Sequence, residues 1–180
     1  MKNSAQQKGL IHVYTGDGKG KTTAALGVAL RAMGWGARVC MVQFIKGYPE
    51  IGEARFARES GGRFVLEQFA VDPSRGIDEA KVLTRSAAVD QAMAYAEQAV
   101  SSGDYGLVIL DEINNALHFG LVNLRRVLAL IESKPSSVEL ILTGRDAPPE
   151  IIAAADYVTE MNLVRHPYQK GVGARKGIDY

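Results

Sequence analysis

The run Thr15-Gly16-Asp17-Gly18-Lys19-Gly20-Lys21-Thr22-Thr23 has the residue types and spacing of a cradle for a polyphosphate. Its glycines let successive backbone N–H groups converge on phosphate oxygens. Lys21 adds a point charge, and the Thr22 hydroxyl can hold Mg²⁺. The pattern departs from strict G-x-x-x-x-G-K-[ST] in one respect. Thr15 stands where the first glycine belongs, and glycines come instead at Gly16, Gly18 and Gly20. A merely flexible turn would not require a lysine and two threonines at the head of an apolar helix, so the phosphate reading is preferred. A second candidate is Asp111-Glu112, which closes the apolar run Leu107-Val108-Ile109-Leu110. A carboxylate at such a strand end can bind Mg²⁺ directly or through water beside Thr22. Capping of the next helix at Ile113 would account for one of the two acids but would leave the metal without a protein anion.

Other chemistries fit less well. Thr143-Gly144-Arg145-Asp146 follows an apolar strand as the guanine-reading [NT]-K-x-D does, but Gly144 replaces the needed lysine. Asp111 is followed by Glu112-Ile113-Asn114 rather than by an early glycine, so a GTPase is set aside. His12, His118 and His166 are not spaced as metal ligands or as bases for a nucleophile, and Cys40 lies inside the apolar run Val39-Cys40-Met41-Val42, as a buried core residue does. The chain therefore offers a triphosphate site without acid-base or nucleophilic apparatus.

These residues need a scaffold, and the apolar pattern supplies one. Leu10-Ile11-His12-Val13-Tyr14 reads as a strand entering the glycine turn, with a helix over 22–33 ended by Gly34 and Gly36 around Trp35. A strand is expected over 37–44, a turn at Lys46-Gly47-Tyr48-Pro49, a short helix over 52–59 and a strand over 63–69. Apolar residues at Val82, Val89, Met93, Ala96 and Val100 mark a long amphipathic helix over 78–100. Then come the strand ending at Asp111, a helix over 121–132, a strand over 138–142, a helix over 149–154 and a last strand over 157–163. This alternation predicts an α/β fold of the P-loop, RecA-like kind, a mainly parallel sheet with helices on both faces. Ligands then bind at the carboxyl ends of the strands, where the glycine turn and Asp111-Glu112 meet.

The chain of 180 residues is expected to form a single domain over 1–180, with 1–8 as a flexible leading segment and 165–180 as a basic, glycine-containing tail. That tail is read equally as solvated or as a mobile flap over the triphosphate. With 21 Lys and Arg against 20 Asp and Glu, no global field recruits nucleic acid or an anionic membrane. One cysteine, no apolar leading segment and no stretch of about 18 apolar residues give the reading of a cytoplasmic protein.

Five segments together carry a family likeness: Thr15 to Thr23, Val42-Gln43-Phe44-Ile45-Lys46-Gly47, Val108-Ile109-Leu110-Asp111-Glu112, Leu142-Thr143-Gly144-Arg145 and the closing Lys176-Gly177-Ile178-Asp179-Tyr180. From about Gly9 to the last residue the chain resembles the ATP:corrinoid adenosyltransferases that act on cobalamin, cobinamide or cobyrinic acid diamide. The resemblance implies transfer of the 5′-deoxyadenosyl group from ATP to the Co(I) form of a corrinoid, with release of triphosphate. By the same likeness Lys21 is the catalytic cation, Gly16 to Thr23 hold the phosphates and Arg145 is a further nucleotide contact. The likeness carries over Thr22 and Glu112 as Mg²⁺ contacts, and the strand-end reading adds Asp111. The likeness further implies ATP bound with reversed polarity, a homodimer and a flavoprotein electron donor. Family members carry Gly-Phe-Thr-Trp after the third strand, against the lower corrin face, where this chain reads Glu67-Gln68-Phe69-Ala70-Val71-Asp72-Pro73, so only Phe69 is left as a corrin contact. Trp35, in its turn, is expected to have a packing or surface role. Two competing functions follow from the same motifs: a RecA-like ATPase with Glu112 as general base, and a binding protein that senses ATP or corrinoid without turnover.

Overall fold

A computed structural model describes residues 8–45, 50–69 and 79–180. The expected turn at Lys46-Gly47-Tyr48-Pro49, the segment Ala70-Val71-Asp72-Pro73 and the side chain of Val82 lie outside the described residues and side chains. Six strands form one sheet: β1 (Ile11–Thr15), β2 (Val39–Gln43), β3 (Phe64–Gln68), β4 (Leu107–Asp111), β5 (Glu139–Thr143) and β6 (Tyr157–Glu160). Their order across the sheet is β3-β2-β4-β5-β1-β6, and every neighbouring pair is parallel. The helices are α1 (Lys21–Gly34), α2 (Gly52–Glu59), α3 (Glu79–Ser101), α4 (Ile113–His118), α5 (Leu124–Ser133) and α6 (Pro149–Ala153).

Side chains alternate across a strand, and here the alternation divides the core in two. Val108 and Leu110 of β4, with Cys40, Val42, Leu140 and Leu142 beside them, face α3, α4, α5 and α6. Leu107 and Ile109, with Val39, Met41 and Ile141, face α1. Both faces of β2 and β4 are thus covered and all their positions are buried, as their unbroken apolar runs require. β6 at the sheet edge is exposed at every position.

The expected elements form, with differences at their ends. α5 begins at Leu124 rather than at 121, because the Asn123 side chain accepts a hydrogen bond from the Arg125 N–H and caps the helix there. The chain between β4 and α5 winds into the short α4 before that cap. The last strand stops at Glu160, and the Met161 carbonyl turns toward the glycine loop instead, accepting the Gly18 N–H at 2.6 Å.

Candidate functional site

β1 delivers the glycine loop to the carboxyl edge of the sheet, and α1 begins at Lys21 with no side-chain cap, so the positive end of its dipole faces the loop. Gly18 is required sterically, since a Cβ there would lie 2.5 Å from the Met161 carbonyl oxygen. Lys21 Nζ donates to the Gly16 and Gly18 carbonyls at 2.6 and 2.7 Å, which draws the ammonium across the inside of the loop. Thr15, at the atypical first position, is buried, and its hydroxyl accepts the Ala147 N–H at 3.2 Å, tying the end of β1 to the segment after β5.

Under the loop lies Asp111, fully buried at the end of β4. Its Oδ1 accepts from the Thr22 hydroxyl at 2.8 Å and from the Thr143 hydroxyl at 2.7 Å, and its Oδ2 accepts from Gln43 Nε2 at 3.2 Å. A buried carboxylate is tolerable only when donors surround it, and these come from α1, β5 and β2. Gln43, also fully buried, extends the network: its Nε2 donates to Glu53 Oε1 at 3.4 Å and its Oε1 accepts from Gln68 Nε2 at 2.8 Å. With a carboxylate on each side, the amide nitrogen must be the atom between them.

Glu112 takes the opposite direction. Its backbone is left-handed, with φ of 63°, held by an N–H bond to Thr143 Oγ1 at 3.0 Å, and its side chain makes no capping bond to α4. The helix-capping alternative for the acidic pair is therefore not used. Asp111 goes down to Thr22, and Glu112 goes to the wall of a cleft of about 920 Å³.

That cleft gathers Asp17, Gly18, Lys19, Gly20, Lys21, Thr22 and Thr23 with Glu112 and Arg145. Arg145 Nε sits 3.6 Å from Asp17 Oδ1. Gly144 before it is needed twice over, having φ of +132° and a Cβ position 2.6 Å from Asn115 Oδ1. Thr15, Gly16 and Asp111 support the cleft without lining it.

Phe69 is elsewhere. Its ring packs against the α3 side of the core, 5.7 Å from the Tyr95 ring, and it is not among the residues that line the cleft. The strand parity that places Phe69 after Gln68 turns its side chain toward α3.

Sequence reasoning missed Gln43, Glu53 and Thr143 as parts of the site. Gln43 and Thr143 did carry a signal, as polar residues ending otherwise apolar runs at the ligand-bearing edge of a parallel sheet. The tail also meets the site: Tyr168, Ile178 and Tyr180 line the same cleft as the loop. Its link to the loop is acidic rather than basic, Asp179 Oδ1 lying 3.4 Å from Lys19 Nζ. Hydrogen bonds from the Arg175 side chain and backbone lower the Asp179 carboxyl to about 2.

The histidines have hydrogen-bonding or charged partners, and Cys40 is buried. His12 bonds to Glu139 and to the Tyr14 hydroxyl, His118 faces Asp146 at 3.6 Å, and His166 caps the turn of 3₁₀ helix over Pro167–Lys170. Burial pushes the Cys40 thiol up to about 12. Among the described residues no helix is long and apolar enough to cross a membrane.

Comparison with known proteins supplies the family and the fold. Residues 7–180 match the family model described as ATP:corrinoid adenosyltransferase BtuR/CobO/CobP. A corrinoid adenosyltransferase of Pseudomonas aeruginosa is 40% identical over 179 residues, covering 97% of this chain and 85% of that one. Among solved structures, the flagellar accessory protein FlaH of Methanocaldococcus jannaschii superposes with a TM-score of 0.56 at 13% identity, covering 86% of this chain and 71% of that chain. The RadB recombinase superposes with a TM-score of 0.51 at 15% identity, covering 89% and 78%. At such low identity these two likenesses establish the fold, a RecA-like α/β sheet of the P-loop class.

Proposed function

The chain belongs to the ATP:corrinoid adenosyltransferase family, which transfers the 5′-deoxyadenosyl group of ATP to a corrinoid, and from that premise we propose how its own residues divide the work. The reaction needs no base. The electron pair of Co(I) forms the Co–C5′ bond, the C5′–O5′ bond breaks, and its pair leaves on the triphosphate, so cobalt is formally oxidised by two electrons and no proton moves. The protein has to align two substrates and stabilise charge growing on a leaving group.

Lys21 and the loop amides carry the second task. Lys21 is the catalytic residue, exchanging its loop carbonyls for phosphate oxygens. Gly16 to Thr23 hold the triphosphate, and Arg145 reaches it from beside Asp17. The donor set fits a hard divalent cation: a hydroxyl from Thr22, a carboxylate from Asp111 held 2.8 Å from it, and Glu112 on the adjoining wall. Thr22, Asp111 and Glu112 would hold Mg²⁺ there, and the ion would supply charge neutralisation to the triphosphate. Asp111 stays fixed by Thr143 and Gln43, while Glu112, turned outward by its left-handed backbone, stands on the wall of the cleft. The observation that carries this reading is the Thr22 to Asp111 hydrogen bond, which brings the loop hydroxyl and the strand-end carboxylate to one point.

The proposal extends to cobalamin and cobyrinic acid diamide as acceptors, to ATP of reversed polarity, to a homodimer and to a flavoprotein that reduces the corrinoid, all on the family likeness. It also treats the whole chain as one domain. Incubation with MgATP and chemically reduced cobalamin, cobinamide or cobyrinic acid diamide tests it. The expected products are inorganic triphosphate and a light-sensitive adenosylated corrinoid. Corrinoid-independent release of orthophosphate as the main activity would identify a RecA-like ATPase instead, and tight binding of both substrates with no product would identify a sensor.

A further inference from the structure

We infer that residues 163–180 are a substrate-binding wall, on which Tyr168, Ile178 and Tyr180 receive a flat, largely apolar ring while the phosphate loop in the same cleft holds the polyanion. The inference rests on the adenosyltransferase reading, whose two substrates each present such a ring, adenine in one and the corrin in the other.

Four observations carry it. The three side chains line the same cleft as Lys21 and Thr22. They are 76%, 62% and 44% exposed, and neither half of the core includes them. Single exposed apolar residues are ordinary, but three that share one cleft with a phosphate loop mark a surface built to be covered. Among the described residues, every aromatic side chain that lines the cleft comes from this segment.

The segment also holds a definite shape. His166 Nδ1 accepts the Tyr168 N–H at 3.2 Å, and the Gly177 N–H reaches the Tyr180 carbonyl at 2.8 Å. Arg175 donates to Asp179 Oδ2 from its backbone at 2.9 Å and from Nε at 3.0 Å. Asp179 then latches this last turn to Lys19 of the loop at 3.4 Å, which keeps the segment beside the phosphate loop. The latch is acidic, which leaves the basic side chain it engages beside the phosphates and adds no cation of its own.

The test uses the full chain and three probes in calorimetric titrations: inorganic triphosphate with Mg²⁺, MgATP, and cobinamide. For Tyr168→Ala/Ile178→Ala/Tyr180→Ala, the triphosphate Kd is expected to stay within about twofold, while the Kd of one ring-bearing probe rises about tenfold. MgATP as the weakened probe assigns the wall to adenine, and cobinamide assigns it to the corrin. Asp179→Asn, which keeps the ring-bearing side chains, should weaken the same probe about threefold at low salt and less at high salt. Melting temperatures should match wild type, since no core side chain is touched. Unchanged affinity for all three probes, or a loss for triphosphate as large as for the ring-bearing probes, overturns the inference. The wild-type product assay tests the function reading separately, so the two can fail independently.

Discussion

The two walls of the cleft are built in opposite ways. The loop wall is the end of the core: Asp111, Thr143 and Gln43 are fully buried, come from three adjacent strands and meet at one carboxylate. The tail wall is almost wholly exposed, has no strand and joins the loop through one ion pair. Groups that stabilise developing charge must not move, and burial with satisfied hydrogen bonds fixes them. A surface that receives and releases a ring system needs little of that fixation, and segments with few buried contacts open at low cost.

Several measurements can break this contrast. The largest effect should come from Lys21→Ala, with kcat falling about 10²-fold or more at an unchanged circular dichroism spectrum, because a single donor at a developing anion is typically worth that much. An unchanged rate would remove the loop from the chemistry.

Thr143→Val keeps the shape but takes a donor from buried Asp111 and an acceptor from the Glu112 N–H. We expect a loss of about 1–3 kcal/mol in denaturant titrations together with reduced activity. Two glycines give a matched pair. At Gly18 an added Cβ meets the Met161 carbonyl at 2.5 Å, whereas at Gly173 in the tail nothing lies within 4 Å. Gly18→Ala should lower Tm by roughly 5 °C and Gly173→Ala by almost nothing, and equal effects would erase the distinction between the walls.

The smallest effect is a titration. Because its bonds to Arg175 lower Asp179 to about 2 from an ordinary value of 3.8, the clasp is fully present above 3.8 and is lost as pH falls toward 2. A carbon NMR titration that finds the ordinary midpoint would show that the last turn of the tail does not form.

Much of this was legible in the chain. The apolar runs of β2 and β4 announced strands covered on both faces, and the bounds of α2 were read without error, since local spacing and turn residues specify them. α4 and the late start of α5 were less visible, because a six-residue helix leaves little periodicity and the Asn123 cap resembles any other polar loop residue.

The sequence by itself determined that a glycine turn of phosphate-binding pattern joins β1 to α1 and that an acidic pair ends the apolar run of β4. Those features are local, and a strand, a glycine turn and a helix are encoded in consecutive residues. Only the tertiary structure decided that Asp111 rather than Glu112 bonds to Thr22, that Gln43 and Thr143 hold it there, that Phe69 faces α3, and that the tail returns to Lys19. Each of these depends on which strands lie side by side and which way one backbone angle turns a side chain, and residues so far apart in the chain leave no trace of that in their spacing.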